Sequence, residues 1–345
     1  MKRRSEAIHF VVPGPLDQAT GGYRYDDAIV AGLRALGHSV VVHELAGRFP
    51  LVDARAVASA RVARKAIGSD RAVIDGLALP AFAGLLGKAQ RITALVHHPL
   101  WLETGLTRRT AAELRRLESG LLKQMGQIIV TSPATRRDVT ALGTAATSIA
   151  VVEPGTARAA ARWRHSGTAR LLCVATLTPR KAHDVLLRAL ASQRHRPWRL
   201  LCVGSTTRDI PQARRLRALV TRLGLGSRVR FAGMVTTAAL ARFYAGSDLF
   251  TLPSLHEGYG MAFTEALARG VPVVGARAGA LPDVIPKPAG VLVPPGSVRA
   301  LARTLRPLVR SSRRRERLAR GAYLQRRRFP DWPAQARRFA AALPP

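Results

Sequence analysis

The sequence predicts an α/β fold built from two doubly wound, Rossmann-like domains. Short apolar runs rich in β-branched residues alternate with amphipathic segments along almost the whole chain. Strands that alternate with helices form parallel sheets covered on both faces. The alternation falls into two series, and a chain of 345 residues is too long for one ordinary core. The two series therefore predict two domains.

Twelve strands are predicted, six in each half of the chain, because each is a short run of apolar and β-branched residues. Those of the first half are Ile8–Val12, Val40–His43, Ala72–Ile74, Ile92–Val96, Ile128–Thr131 and Ile149–Val152. Those of the second half are Leu171–Ala175, Leu200–Val203, Val229–Phe231, Leu249–Leu252, Val271–Val274 and Val291–Val293. The amphipathic segments between them predict helices, among them Asp26–Leu36, Thr107–Met125, Asp184–Ala191, Pro211–Leu223 and Thr237–Ala245.

Small and polar residues are concentrated between Val151 and Arg170, just before a new strand begins. We therefore expect the domains to be residues 1–158 and 159–329. A new helical pattern follows two prolines near residue 330, and we expect this tail, residues 330–345, to pack back onto the first domain.

The N-terminus and the hydropathy of the chain indicate its cell compartment. The basic N-terminus is followed by an apolar run too short for a signal peptide, and uninterrupted runs of about 18 apolar residues are absent from the sequence. The sequence thus predicts a cytoplasmic protein.

Cys173 and Cys202 fall inside predicted buried strands, so we interpret them as small core residues, not as a disulfide or a metal pair.

The formal net charge of +34 predicts an anionic partner: nucleic acid, an anionic membrane or a phosphorylated substrate. An arginine-rich composition without a selected surface explains the charge equally well. Nucleic acid is disfavoured, because aromatic residues make up only 5% of the chain and no nucleic-acid-binding motif is evident. Residues 303–329 carry one acidic residue, Glu316, among many arginines, and this stretch is suited to an anionic inner membrane face.

Open parallel sheets bind ligands beyond the carboxyl ends of their strands, so the residues that follow strands are the candidate site. Gly21 and Gly22 follow the first strand and precede a helix, where glycines let backbone amides approach an anion. His97 and His98 end the fourth strand, and an imidazole there can donate to a sugar hydroxyl or a phosphate.

Arg180 and Lys181 follow the first strand of the second half and lie just before a helix that begins near Asp184. A helix N-terminus prefers anions, so cations beside it are best explained by an anion held between the two. A diphosphate fits this arrangement, because it can bind to backbone amides and a cation together.

The stretch "LHEGYGMAFTEALARGVPVV" places Glu257 in a glycine-bearing loop after a strand, and Glu265 in the short helix that follows. Gly258 and Gly260 allow the loop amides to form a concave anion site. Carboxylates accept hydrogen bonds in pairs, which suits the vicinal hydroxyls of a sugar and of a ribose.

These residues resemble the E-x7-E region of glycosyltransferase family 4, whose retaining enzymes have the GT-B fold: two Rossmann-like domains facing each other across a cleft. The resemblance extends over nearly the whole chain. It is carried by "EGYGMAFTEALARGVPVV", "TGGYRYDDAIVAGLRALGHSVVV", "IIVTSPATRRDV", "VVEPGT", "LLCVATLTPRKAHDVLLRAL", "RLLCVGSTTRD", "VRFAGMV" and "GARAGALPDV".

The resemblance implies that the first domain binds the acceptor and the second binds the nucleotide sugar. It implies catalytic roles for Glu257, His97 and Lys181, with Glu257 on the sugar hydroxyls, His97 near the reacting sugar and Lys181 on the diphosphate. The implied remaining donor-binding residues are Gly21, Gly22, Arg180, Gly258, Tyr259, Gly260, Met261, Ala262 and Glu265, and His98 is assigned to the acceptor side.

The chain departs from the family pattern at two places. Ala175-Thr176-Leu177 stands where the family commonly has Gly-Arg-Leu, so the usual diphosphate arginine is missing and Arg180 is the candidate substitute. Gly279-Ala280 stands where Gly-Gly is usual, before Pro282-Asp283 in place of Pro-Glu.

The sequence therefore predicts a retaining, metal-independent glycosyltransferase that needs no cofactor and transfers a sugar, on the front face, from a nucleotide diphosphate to a hydroxyl. Metal independence is expected because a DxD-like carboxylate pair is missing from the sequence. A UDP-sugar is the favoured donor by resemblance. The acceptor is left open between a lipid-linked and a soluble molecule. The alternatives are a binding protein for nucleic acid or anionic membrane, and a GT-B-type sugar-nucleotide epimerase.

Overall fold

A computed structural model describes residues 7–18, 20–87, 89–103, 105–157, 159 and 167–345. The chain divides into two compact units, one formed by Met1–Gly155 with Pro330–Pro345 and the other by Thr156–Phe329. Residues 158 and 160–166 of the expected junction lie outside the described residues.

The first unit contains a parallel sheet of six strands in the order β2-β1-β3-β4-β5-β6. The strands are β1 (Ile8–Pro13), β2 (Val40–Leu45), β3 (Arg71–Asp75), β4 (Ala89–Val96), β5 (Met125–Val130) and β6 (Ile149–Val151). The helices are α1 (Gly21–Ala35), α2 (Ala54–Ile67), α3 (Arg108–Leu122), α4 (Pro133–Thr140) and, from the end of the chain, α12 (Trp332–Ala342).

Helix α12 is part of the first unit because its apolar side packs on α1 and β1. Phe339 is fully buried, with its ring 6.4 Å from that of Phe10 and 6.5 Å from that of Tyr25. Gly32 of α1 lies against Ala336, where a Cβ on the glycine would collide with the alanine side chain. The amide of Gln335 donates to the backbone carbonyl of Glu153. Burial of an aromatic side chain of this size is worth about 2–3 kcal/mol, which anchors the tail to this unit.

The second unit contains a second parallel sheet of six strands, in the order β12-β11-β10-β7-β8-β9. Its strands are β7 (Ala169–Val174), β8 (Trp198–Val203), β9 (Val229–Phe231), β10 (Leu249–Leu252), β11 (Val273–Ala276) and β12 (Gly290–Val293). Its helices are α5 (His183–Ala191), α6 (Ile210–Arg222), α7 (Thr237–Ala245), α8 (Met261–Ala268), α9 (Leu281–Val284), α10 (Val298–Arg310) and α11 (Ser312–Gln325).

Each sheet has one point where the strand order reverses. In the first sheet the chain runs from β1 to β2 on one side and continues from β3 on the other, so the reversal lies between β1 and β3. In the second sheet it lies between β7 and β10. In doubly wound sheets the loops that leave the carboxyl ends of the two strands diverge at such a point, and ligands bind there.

The predicted fold class, two doubly wound Rossmann-like units, is confirmed, and each predicted strand overlaps an observed one. Several boundaries differ from the prediction by one to five residues; for example, Met125, predicted as the end of a helix, is the first residue of β5. Two of these differences have a local cause. Helix α1 begins at Gly21, five residues before the predicted start, so the glycine pair is its first turn and not the loop before it. Strand β11 begins at Val273 and not at Val271, because the amide of Val271 donates to the carbonyl of Ala266 and still closes the end of α8.

The described parts of the chain include no helix that is both long enough and apolar enough to cross a lipid bilayer.

Candidate functional site

The first cluster of candidate residues lies at the strand-order reversal of the second sheet. Lys181 ends a 3-10 turn, Pro179–Lys181, that follows β7, and Glu257 lies in the loop that follows β10. Strands β7 and β10 are neighbours, paired through Leu171 with Leu249. Two residues 76 apart in the chain are thereby brought to the same edge of one sheet.

The side chains of Lys181 and Glu257 are in direct contact, with Nζ 2.7 Å from Oε1. The hydroxyl of Ser254 donates to the same oxygen at 2.6 Å. Burial alone would raise the pKa of the Glu257 carboxyl. The charges of Lys181 and Arg180 and the two hydrogen bonds outweigh burial and bring that pKa below its ordinary value. Glu257 is therefore an ionised hydrogen-bond acceptor at neutral pH, although its side chain is only 8% exposed.

The backbone also joins the two loops. The carbonyl of Arg180 accepts from the amide of Leu255 at 2.8 Å. The guanidinium of Arg180 donates to the carbonyl of His256 at 3.0 Å. Arg180, the candidate substitute for the missing family arginine, thus holds the loop that carries Glu257, and it contributes positive charge next to that carboxylate.

Two glycines shape the loop and cannot be replaced without strain. Gly260 has φ of +99°, and a Cβ there would lie 2.6 Å from Cδ2 of Leu281. Gly279 has φ of +56°, and its Cβ would collide with the backbone of Glu257. The amide of Ala280 donates to the carbonyl of Glu257 at 2.8 Å. Because only glycine adopts these angles without cost, this pair sets how closely the loop after β11 approaches Glu257.

Helix α8 begins directly after Gly260 and carries Glu265 in its second turn, where that residue is 9% exposed. The helix is fixed from outside by two contacts: the hydroxyl of Tyr244 donates to the carbonyl of Ala262 at 3.2 Å, and Thr156 donates to Thr264 at 3.1 Å. The structure therefore places Glu265 on a buried, anchored helix that begins in the Glu257 loop.

The N-termini of three helices differ from the rest. Among the described helices of eight or more residues, a side-chain cap is missing only at α1, α5 and α8, whose caps are Thr20, Ala182 and Gly260. In the others, a Ser, Thr or Asp side chain accepts a hydrogen bond from the amide three residues on. The three uncapped helices are the ones that follow β1, β7 and β10, at the strand-order reversals.

The second cluster lies at the reversal of the first sheet. Nε2 of His97, which follows β4, lies 3.0 Å from Oδ1 of Asp26 in α1 and 3.1 Å from Oδ2 of Asp75 at the end of β3. Gly22 lies against the same ring, where a Cβ would be 3.3 Å from Cδ2 of His97. The ring of Tyr25 packs edge-on against His97, with centroids 5.2 Å apart.

The two carboxylates determine the charge of His97. Burial by itself would lower the pKa of His97, but the charges of Asp26 and Asp75 and their hydrogen bonds raise it to about 10. Burial raises the pKa of Asp26 to about 7, against the opposing charge of His97. His97 is therefore a cation and a hydrogen-bond donor at neutral pH, and is unsuited to act as a general base.

The second histidine of the pair is directed elsewhere. Nε2 of His98 lies 3.2 Å from Oε2 of Glu103. The loop that follows is held by Glu118 of α3, which accepts from the amide of Leu100 at 2.9 Å. Burial raises the pKa of Glu118 to about 8. Residue 104 of this expected acceptor loop, and residue 19 of the glycine loop, lie outside the described residues.

Sequence reasoning missed three polar residues of these clusters. Asp75 carried a usable signal, because it ends a buried parallel strand in the same way as the residues that were selected. Asp26 lies on the apolar side of α1, where a buried acid calls for a partner. Ser254, fully buried, follows β10 with no signal beyond its position.

A family model gives the first comparison. The model described as "Glycosyl transferases group 1" matches residues 159–325, which is nearly all of the second unit. The second unit is thus similar to this family over nearly its whole length, and the predicted enzyme class is the class that the family describes.

Among curated proteins, the chain is similar to D-inositol 3-phosphate glycosyltransferase of Salinispora tropica. The two are 37% identical over 164 residues, which are 45% of this chain and 34% of that protein. The chain spans less than half of the length of two further relatives of that name.

Solved structures match the fold over the whole chain. Sucrose-phosphate synthase from Thermosynechococcus elongatus is 20% identical, with a TM-score of 0.83, and 97% of this chain and 98% of that chain are covered. HepE from Anabaena, in complex with UDP-glucose, is 19% identical, with a TM-score of 0.77, and 98% and 99% are covered. The two Rossmann-like units are therefore those of the GT-B fold. The alternatives of a nucleic-acid- or membrane-binding protein and of an epimerase find no support in these comparisons.

Proposed function

We propose that the protein is a retaining glycosyltransferase that moves a sugar from a nucleotide diphosphate to an acceptor hydroxyl. The observation that carries this proposal is the contact of Lys181 with Glu257 at the strand-order reversal of the second sheet, beside the uncapped N-termini of α5 and α8. A diphosphate joined to a sugar requires a cation and helix N-terminal amides for its phosphates, and an ionised carboxylate for its sugar hydroxyls.

The role of each group follows from its chemistry. Glu257 is ionised and accepts hydrogen bonds from sugar hydroxyls. Lys181 binds Glu257 through its ammonium group, and the same cation is proposed to contact the diphosphate. The amides of Gly258–Ala262 hold the sugar and the diphosphate, and Glu265 accepts from the ribose hydroxyls. Arg180 acts through the loop that it holds and through its charge.

His97 is assigned to the transferred sugar as a hydrogen-bond donor. Its pKa of about 10 keeps it protonated, and because Nε2 faces two carboxylates, Nδ1–H is the donor for a ligand. Gly21 and Gly22 form the first turn of α1, whose amides lack a side-chain cap and suit a phosphate. His98 remains assigned to the acceptor side.

The leaving diphosphate gains negative charge as its bond to the sugar breaks. Lys181, Arg180 and the helix N-termini stabilise that charge electrostatically, so we propose that a divalent cation is not required. The acceptor hydroxyl attacks on the face from which the diphosphate departs, and a diphosphate oxygen takes its proton, which gives retention of the anomeric configuration.

UDP-sugars are the proposed donors, because a protein of the same fold, HepE, was solved with UDP-glucose. The relatives named for inositol 3-phosphate make a phosphorylated polyol one acceptor candidate, and a lipid-linked hydroxyl is the other. The strongly basic chain suits either anionic acceptor.

The experiment is a donor screen followed by transfer. Nucleotide sugars are ranked by the rise in Tm of the full chain, and the best donor is incubated with inositol 3-phosphate or a lipid-linked acceptor. We expect sugars of one nucleotide to give the largest rise in Tm. The early NMR spectrum of the product should show the anomeric configuration of the donor, and the transfer rate should be the same with and without EDTA. A product of inverted configuration contradicts retention, and a rate that EDTA abolishes and that added Mg²⁺ or Mn²⁺ restores contradicts metal independence.

Peripheral membrane association is proposed for the same protein. At the end of α11, Leu324 is 75% exposed and Tyr323 is 37% exposed, next to the arginines 326–328. Apolar side chains flanked by cations bind the surface of anionic lipid. We expect sedimentation with phosphatidylserine-containing vesicles at low salt, weakened at high salt and by Leu324→Ser. Failure to sediment at low salt contradicts this association and leaves the transferase proposal intact.

A further inference from the structure

Two cysteines of the second unit lie directly opposite each other on neighbouring strands. Cys173 of β7 and Cys202 of β8 are register partners in a parallel pair, so their side chains leave the sheet on the same face. Cys173 is fully buried and Cys202 is 3% exposed. Sequence reasoning interpreted both as small core residues, not as a disulfide or a metal pair, because only the strand register brings them together.

A histidine completes the cluster. His183, the first residue of α5, is 1% exposed. One of its ring nitrogens and the two sulfurs all lie within 4.8 Å of one another. Among the described residues, neither ring nitrogen has a partner in hydrogen-bonding geometry. The neighbouring Cys173 offers a thiol, which is a weak hydrogen-bond partner and compensates poorly for the hydration that a buried imidazole loses.

We propose that Cys173, Cys202 and His183 bind one thiophilic cation, Cu⁺ or Zn²⁺. Thiolate sulfur and imidazole nitrogen are the ligands that these ions prefer. The mutual separations below 4.8 Å are compatible with ligand bonds of about 2.0–2.3 Å to a shared ion. A bound cation gives the buried imidazole a strong partner in place of a weak one, and it neutralises two thiolates inside an apolar core.

The position of the site gives it a structural role. It ties two neighbouring strands to the first residue of α5. Ala182, which precedes His183, has φ of +49°, a left-handed conformation that is unfavourable for a residue with a Cβ. Coordination of His183 stabilises this turn from inside the unit. The proposal does not depend on the transferase function, because its ligands and its test are separate from the donor.

The first experiment uses the full chain and measures the metal directly. The purified, reduced protein is assayed for zinc and copper by mass spectrometry, then stripped with a chelator. One aliquot is titrated with Co²⁺ as a spectroscopic substitute for Zn²⁺, and another with Cu⁺ under anaerobic conditions against a chromophoric Cu⁺ chelator. We expect one equivalent to bind in one of the two arms, with thiolate-to-metal charge-transfer absorption and a rise in Tm.

Variants separate a metal site from an ordinary core. His183→Leu and Cys202→Ala should lose the stoichiometric binding and the metal-dependent rise in Tm. The exposed histidine His195, changed to Asn, is the matched control and should bind as the wild type does. If His183 is only a core residue, the leucine variant removes two unpaired nitrogens and is at least as stable as the wild type under every metal condition.

Three results overturn the proposal. The first is a wild-type chain that binds neither ion at one equivalent. This result does not depend on whether a variant folds. The second is binding that persists unchanged in His183→Leu and Cys202→Ala. The third is a metal-free disulfide between Cys173 and Cys202 in protein purified without reductant.

Discussion

Nζ of Lys181 lies 2.7 Å from Oε1 of Glu257, and the hydroxyl of Ser254 lies 2.6 Å from the same oxygen. Two donors thus converge on one carboxylate oxygen, which leaves Oε2 as the acceptor for a ligand hydroxyl in the proposed donor site. The orientation of Glu257 is set by this pair of contacts and by the glycine-dependent approach of the loop after β11.

Replacing Glu257 by glutamine should lower sugar transfer by about 10²-fold or more, because the uncharged amide is a weaker acceptor and no longer balances Lys181. Single-turnover kinetics with the donor found in the screen measure the effect. Glu113→Gln removes a carboxylate of an exposed i,i+4 pair with Arg109 and should transfer at the wild-type rate. Undiminished transfer by Glu257→Gln would remove Glu257 from the catalytic residues.

The charge of His97 should depend on Asp75. In Asp75→Asn one of the two carboxylates that raise the pKa of His97 is gone, so that pKa should fall from about 10 toward its ordinary value. As the pH is raised, the transfer rate should then begin to decline at a lower pH in the variant than in the wild type. NMR titration of the ring and a pH–rate profile measure both effects. Asp70→Asn, which removes a carboxylate 3.3 Å from a different histidine, His9, should leave them unchanged.

The same shift predicts the pH dependence of folding. The pKa of His97 is higher in the folded than in the unfolded state, so its stabilising contribution is full below the unfolded value of about 6.5. That contribution is lost as the pH rises through the folded value of about 10. Guanidinium unfolding of wild type and Asp75→Asn at pH 6 and pH 9 tests this. We expect the free energy of unfolding of the wild type to exceed that of the variant by more at pH 6 than at pH 9. The same excess at both pH values would contradict the prediction.

Gly260→Ala should weaken donor binding as well as folding. Both Gly260 and Gly37 have φ near +90°, so either substitution costs about 1–2 kcal/mol of backbone strain. A Cβ at Gly37 meets nothing within 4 Å, whereas one at Gly260 collides with Leu281. The expected result is a larger loss of stability at Gly260, together with loss of the donor-induced rise in Tm. Equal behaviour of the two variants would show that the approach of this loop is unimportant.

Gly22→Ala should separate helix stability from function. Alanine favours a helix over glycine by about 1 kcal/mol, so both Gly22→Ala and Gly120→Ala should unfold at the same or a higher denaturant concentration. Only the Cβ at position 22 reaches His97, at 3.3 Å, while that at position 120 meets nothing within 4 Å. We therefore expect reduced transfer for Gly22→Ala alone, and normal transfer by both variants would contradict the placement of His97 in the site.

Much of the architecture is readable from local pattern. Each strand is a short apolar run and each helix a periodic one, so their existence and the doubling of the series depend on neighbouring residues only. The errors fall where a second element intervenes. Gly21 and Gly22 have low helix propensity, yet they form the first turn of α1. Val271 is hydrogen-bonded to the end of α8, so β11 begins two residues later.

The side-chain partners of the candidate residues were beyond local pattern. Sequence alone determined that Lys181 and Glu257 each follow a strand of one parallel sheet, because alternating strands and helices permit little else. Tertiary structure decided that β7 and β10 are neighbours, although β8 and β9 lie between them in the chain. The strand order of a sheet minimises the free energy of the whole unit, which no short segment encodes. For the same reason only the folded chain shows that His97 meets Asp26 and Asp75, and that Cys173 faces Cys202.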